Sequence, residues 1–146
     1  METERGKVID RGKAVMFLII CGDEVLLQER INENRGFAGE TIIPGGKNDI
    51  GENHPTAAER EIREETGLDG VVINQLGAVF KAITTSGHQY LMQAFYVLID
   101  KKSQIDDTIA ENGNLIWVPY EAAKKNQNWA HAQLVFERVE KLGKKG

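Results

Sequence analysis

The strongest constraint on this chain is the segment 46–68, GKNDIGENHPTAAEREIREETGL, a Gly-rich turn that leads into a charged helical pattern. At about 100° per residue, Glu64 and Glu65 lie at roughly −60° and +40° from Glu61, so three carboxylates share one helix face. Like charges packed this closely are unfavourable unless something neutralises them. A divalent cation is the simplest candidate, and the turn before the helix contains a further acidic residue, Glu52.

The composition is that of an ordinary globular protein. The 146 residues are 41% hydrophobic and 27% charged, which predicts one domain spanning residues 1–146. A net charge of −4 argues against a sequence-independent nucleic-acid binder, which would be basic. An anionic small molecule remains compatible, because a bound metal can reverse the local charge. We see no apolar signal region and no apolar run of membrane-spanning length, which predicts a soluble cytoplasmic protein without a membrane partner.

Hydrophobic patterning predicts a layered fold. The continuous apolar run 14–21, AVMFLIIC, favours a strand buried on both faces. The tripeptide 44–46, Pro-Gly-Gly, predicts a sharp turn, and the acidic helix that follows begins near Pro55 and ends at Gly67. The order of segments predicts an α+β fold, an α/β/α sandwich with a central mixed sheet. The predicted strands are 14–21, 24–30, 41–43, 71–81, 88–99 and 115–118, and the later helices are 120–125 and 130–142.

The opening segment resembles the signature of the Nudix hydrolases, which reads G, five residues, E, seven residues, then R-E-U-x-E-E-x-G-U, with U apolar. All fixed positions match, and a chance match has a probability on the order of 10⁻⁹ to 10⁻⁸ per window. The resemblance implies the Nudix fold over most of the chain and a hydrolase that cleaves a diphosphate linkage in a nucleotide. The matching residues are Gly46, Glu52, Arg60, Glu61, Ile62, Glu64, Glu65, Gly67 and Leu68.

The resemblance also implies a cofactor, Mg²⁺ or Mn²⁺, and a set of residues that hold it. Carried over position by position, the metal ligands are the carboxylates of Glu61, Glu64 and Glu65, the carbonyl of Gly45, and Glu111, which stands six residues before Trp117. Carboxylates with a carbonyl are the oxygen donors that Mg²⁺ prefers. Asp106 and Asp107 lie near Glu111 in the sequence and are alternatives to it.

The remaining signature residues have roles implied by the same resemblance. Glu52 and Arg60 match the pair that ties the loop to the helix in the family. Glu64 is our first choice as general base, because it lies among the metal ligands, and Glu111 is the second.

The substrate is predicted less sharply. Arg35-Gly36-Phe37 followed by Pro44–Lys47 is similar to MutT-type enzymes that cleave nucleoside triphosphates, which makes Arg35, Phe37 and Lys47 candidate substrate contacts. A coenzyme A motif has similar spacing, but Gln28, Ile31 and Ile43 depart from it. ADP-ribose and nucleotide sugars are further alternatives, and family relatives often form homodimers. A hypothesis of another class is a Nudix module that binds nucleotide without catalysis.

Overall fold

Within the residues that the structure describes, eight strands form one sheet, with helices on both of its faces. The computed structural model describes residues 8–30, 41–84, 87–110, 113–126 and 130–145. The strands are β1 (Ile9–Cys21), β2 (Glu24–Arg30), β3 (Thr41–Ile42), β4 (Gly45–Lys47), β5 (Asn74–Gln75), β6 (Phe80–Ile83), β7 (His88–Ile99) and β8 (Gly113–Pro119). The helices are α1 (His54–Thr66), α2 (Tyr120–Asn126) and α3 (Ala130–Lys145).

Strand β1 organises the sheet. It pairs in parallel with β7 on one side, and in antiparallel fashion with β2 and β4 on the other. Strand β2 also pairs with β3 and β8, and β7 pairs with β5 and β6, all antiparallel. The sheet is therefore mixed, and the predicted fold class is confirmed.

The alternation of side chains along β1 builds two cores, because successive residues of a strand point to opposite faces. Val15, Phe17 and Ile19 are buried in the same cluster as Ala58 and Ile62 of α1. On the opposite face a second cluster combines the even-numbered residues with α2 and α3: Ala14, Met16, Leu18, Ala123, Val135 and Phe136. Burial on both faces explains why residues 14–21 are a continuous apolar run.

Two predicted elements differ from the structure. Residues 44–46 were expected to be only a turn, but Gly45 and Gly46 belong to β4 and pair with Met16 and Val15. The predicted strand 71–81 is interrupted, since only its parts in β5 and β6 are strand. The interruption coincides with Gly77, whose φ of 76° is left-handed. A side chain at Gly77 would collide with Arg138, whose Nη1 donates to the carbonyls of residues 76 and 78 at 3.0 and 2.9 Å.

Helix α1 has a defined cap at each end. Asn53 accepts a hydrogen bond of 2.9 Å from the backbone N–H of Thr56, which satisfies a free donor of the first turn. Gly67 ends the helix in the left-handed conformation at φ 79°, and its N–H donates to the carbonyl of Arg63. The carbonyl of Thr66 accepts from the N–H of Asp106 at 2.8 Å, so the loop after β7 is held against the end of the helix.

The two glycines after α1 allow a matched test of this end of the helix. We expect Gly67→Ala to lower the free energy of unfolding by about 2–3 kcal/mol, and Gly70→Ala by about 1 kcal/mol. Both positions have a positive φ, but only the Cβ at Gly67 would meet a described side chain closely, at 3.1 Å from the Cβ of Asp106. Urea unfolding of both variants measures the difference, and equal losses would contradict this explanation.

The part of the chain that the structure describes contains no helix with the length and apolar character needed to span a membrane.

Candidate active site

Strand β4 brings bare backbone directly beneath helix α1. An ideal Cβ on Gly46 would lie 2.3 to 2.5 Å from the carboxylate atoms of Glu61, so the Glu61 carboxylate rests on the glycine backbone. An ideal Cβ on Gly45 would lie 2.3 Å from the carbonyl oxygen of Val15. Both distances are far below van der Waals contact, so these positions accept only glycine without displacement of their neighbours.

Arg60 connects three parts of the site: the loop between β4 and α1, strand β4 itself, and the acidic face of α1. Its Nε and Nη2 donate to the two oxygens of Glu52 at 2.7 and 2.9 Å. Nη2 also donates to the carbonyl of Lys47 at 3.0 Å. Nη1 donates to Glu61 Oε2 and to Glu64 Oε1, both at 3.0 Å. The two ends of the predicted Glu52–Arg60 pair are thus in contact, and the guanidinium also bridges two of the predicted metal ligands.

The same contacts shift two carboxyl groups in opposite directions. The hydrogen bonds from Arg60, reinforced by the backbone N–H of Asp49, lower the pKa of Glu52 to about 2. Burial raises the pKa of Glu61 to about 7, although its hydrogen bond with Arg60 opposes that rise. The environment therefore favours an ionised Glu52 and resists an ionised Glu61.

The lowered pKa of Glu52 predicts a pH dependence of stability. Since its pKa in the folded protein lies below the usual 4.5, the stabilisation is complete above about pH 4.5 and is lost as the pH falls towards 2. We expect wild-type protein to be more stable than Glu52→Gln at pH 7, and this difference to shrink steadily below pH 4.5. Denaturant unfolding across that range measures it. Glu59→Gln, an exposed glutamate of α1, is the control, and a difference constant with pH would contradict the prediction.

Glu64 and Glu65 lie in different environments. The side chain of Glu64 is 56% exposed, whereas residue Glu65 is only 7% exposed and faces the sheet. Glu65 Oε1 accepts a hydrogen bond of 3.1 Å from Nε2 of Gln28, a buried residue of β2. In the sequence, Gln28 is notable only as a departure from the coenzyme A motif. Its contact with Glu65 joins residues 37 positions apart, for which local sequence patterns give no signal.

The donors on α1 fit a divalent metal in their chemistry. All three side chains offer carboxylate oxygens, which suit Mg²⁺ and Mn²⁺. Glu61 and Glu64 already share one cationic donor, Nη1 of Arg60, at 3.0 Å each. Within the described ranges, however, no three His, Cys, Asp or Glu side chains are arranged to hold a metal together. Sharing one ion would therefore require these carboxylates to reorient.

The structure does not bear on three of the predicted site residues, since Arg35, Phe37 and Glu111 lie outside the described residues. Lys47 is described and exposed at the end of β4. It lines a cavity of about 440 Å³ together with Arg11 and Lys13 of β1. Asp49 and Glu52 of the loop after β4 also line this cavity, so its wall carries both basic and acidic side chains.

Comparison with known proteins gives the class. The model of the NUDIX domain family matches residues 10–138, which confirms the family recognised from the motif. The chain belongs to the NUDIX family.

A curated relative, an 8-oxo-(d)GTP phosphatase of Mycolicibacterium smegmatis, is 32% identical over 99 residues. That alignment covers 68% of this chain but only 30% of the relative, so the chain spans about a third of that protein's length.

Solved structures agree on the fold. A MutT protein of Methanosarcina mazei has a TM-score of 0.73 at 24% identity, covering 94% of this chain and 97% of that one. The dihydroneopterin triphosphate pyrophosphohydrolase of E. coli has a TM-score of 0.72 at 19% identity, with coverages of 90% and 97%. The NUDIX domain of Shewanella oneidensis NrtR, solved with ADP ribose, has a TM-score of 0.71 at 18% identity, with coverages of 97% and 92%. At these identities the likeness extends to the fold alone.

Proposed function

We propose that this protein is a Mg²⁺- or Mn²⁺-dependent Nudix pyrophosphohydrolase that cleaves the diphosphate linkage of a small nucleotide. The observation that carries the proposal is the junction of β4 and α1, where Glu61 rests on Gly46 while Arg60 ties Glu52 to the same helix face. This arrangement brings together four positions of the signature, and a surface helix that is merely rich in charged residues would not need it. Membership of the NUDIX family supports the same activity.

In this proposal Glu61, Glu64 and Glu65 hold the cation, with the Gly45 carbonyl and Glu111 as further donors. When bound, the cation offsets the negative charge of the phosphates and makes water more acidic. Burial disfavours the ionised form of Glu61, so metal binding and protonation compete at this carboxylate.

Glu64 is the proposed general base. It is the exposed one of the three carboxylates, so water can reach it, and its hydrogen bond with Arg60 orients it. The oxygen of water forms a bond to phosphorus, its proton passes to Glu64, and the anhydride P–O bond breaks. For a nucleoside triphosphate cleaved between the α- and β-phosphorus atoms, the products are a nucleoside monophosphate and pyrophosphate.

We propose nucleoside triphosphates as the first substrate class, with Arg35, Phe37 and Lys47 as contacts. The similarity to a protein named 8-oxo-(d)GTP phosphatase favours this class and makes oxidised guanine nucleotides the first to test. Coenzyme A, ADP-ribose and nucleotide sugars are the alternatives.

We also propose that residues 1–146 form one domain, which acts on a small molecule rather than on nucleic acid. Homodimer formation is best examined by light scattering.

The test is a substrate panel with and without Mg²⁺ or Mn²⁺, with products separated by chromatography. The panel contains ordinary and oxidised nucleoside triphosphates, dinucleoside polyphosphates, ADP-ribose, nucleotide sugars and coenzyme A. We expect metal-dependent release of a nucleoside monophosphate and pyrophosphate from a triphosphate. Nucleotide binding without any metal-dependent product would instead identify a binding module and overturn the proposed activity.

A further inference from the structure

A buried amide in the sheet contacts the acidic helix. Gln28 of β2 is only 1% exposed, and the residues before it, Leu26 and Leu27, are core residues. A buried amide is unfavourable unless it is hydrogen-bonded, so its partners indicate its role. Its Nε2 donates to Oε1 of Glu65 at 3.1 Å, which links β2 to α1.

The backbone of Gln28 is held on both sides. It pairs with Ile42 of β3 on one side and with Leu115 of β8 on the other. Leu26, two positions earlier, packs in the core beneath α1, and the two-residue repeat of a strand turns Gln28 towards the same helix. Gln28 is therefore held in the interior of the sheet. Its side-chain amide, which is the donor, is buried there and has little freedom to move.

We propose that Gln28 is a positioning residue for the metal site, a role that rests on the proposed function. By holding Oε1, it fixes the rotation of the Glu65 carboxylate and so prepares that ligand before metal arrives. The amide is neutral, so this hydrogen bond orients the carboxylate without adding a positive charge that would compete with a cation. Arg60, in contrast, orients Glu52 with a group that carries a full positive charge, and this contact lowers the pKa of Glu52.

The test removes the donor while preserving side-chain length and burial. Gln28→Met is the main variant, and Gln28→Leu is a second one in case the first fails to fold. The matched control is Gln93→Leu, because Gln93 of β7 is also buried, at 3% exposure, and its amide donates to the carbonyl of Gly77 at 2.7 Å. Circular dichroism and thermal unfolding check that each protein is folded.

The main readout is Mn²⁺ affinity of the free protein, measured by electron paramagnetic resonance, which does not depend on turnover. We expect both Gln28 variants to bind Mn²⁺ roughly 10- to 100-fold more weakly, with Gln93→Leu unchanged. In turnover assays, the Mg²⁺ concentration for half-maximal rate should rise, while substrate KM at saturating Mg²⁺ stays the same. If Gln28 had only a structural role, the Mg²⁺ requirement would not change while the substrate KM stayed the same.

A double-mutant cycle shows whether Gln28 acts through Glu65. In a Glu65→Ala background, which removes the acceptor of the hydrogen bond, Gln28→Met should change Mn²⁺ affinity by less than about threefold. Unchanged affinity in the single Gln28 variants, or an equally large effect in the Glu65→Ala background, would overturn the proposed role alone. A wild-type protein that binds no Mn²⁺ would overturn the proposed function instead, so the two failures are distinguishable.

Discussion

Glu65→Gln and Glu64→Gln are each expected to lower metal-dependent turnover by roughly 10²- to 10⁴-fold, with the fold intact. Each change removes a negative charge from the proposed cation site and preserves side-chain size. At Glu65 the new amide oxygen can still accept the hydrogen bond from Gln28, which keeps the buried contact satisfied. At Glu64 the side chain is largely in solvent, so its loss affects the proposed proton acceptor rather than packing.

Glu59→Gln is the matched control for both changes, because Glu59 is an exposed glutamate of the same helix outside the acidic face. The measurement is the initial rate at saturating substrate over a range of Mg²⁺, together with the thermal midpoint of each protein. Rates like those of wild type in both variants, on a substrate that the native protein cleaves, would remove the catalytic assignment of this helix face.

Gly46→Ala is expected to reduce kcat by about 10²-fold, because a methyl group there must displace the Glu61 carboxylate. Carboxylate atoms lie 2.3 to 2.5 Å from the ideal Cβ position, so a shift of about an ångström is unavoidable. Gly51→Ala, in the loop that follows β4, is the control. Its φ of 84° makes alanine strained, by about 1 kcal/mol, but none of the described atoms lies within 4 Å of the new Cβ.

The two glycine variants distinguish an effect on the geometry of the site from an effect on the stability of the loop. Steady-state kinetics at saturating Mg²⁺ should show a large loss of kcat for Gly46→Ala and little change for Gly51→Ala, while both lose some thermal stability. If Gly46→Ala retains the kcat of wild type, the close contact between Gly46 and Glu61 has no catalytic importance.

The Arg60 network explains how a crowded acidic helix can fold before metal arrives. Arg60 donates to Glu52, Glu61 and Glu64, which offsets part of the repulsion between their charges. Glu61 and Glu64 share one nitrogen of this guanidinium, so a bound divalent ion would compete with Arg60 for both carboxylates. In the metal-free protein the arginine therefore stabilises the acidic face of the helix, and in the proposed metal-bound state its bonds to Glu52 would persist.

The helix, its acidic face and the family were all predictable from local sequence patterns. Residues three and four apart lie together on any α-helix, so the spacing of Glu61, Glu64 and Glu65 places their carboxylates on one face. Gly67 marked the helix end because glycine readily adopts the left-handed conformation. The alternating two-sided core was also predictable, since a strand buried on both faces is a continuous apolar run.

How that helix is used follows instead from contacts between distant elements of the fold. Gly46 lies in a strand paired with β1, which places it under Glu61. Gln28 meets Glu65 across 37 residues, and Arg138 meets the backbone around Gly77 across about 60, where it accompanies the break in a predicted strand. Local periodicity describes which face a residue occupies within its own element. Local periodicity does not specify which distant element packs against that face. The packing of β2 and β4 against α1 is what makes its acidic residues a candidate metal site.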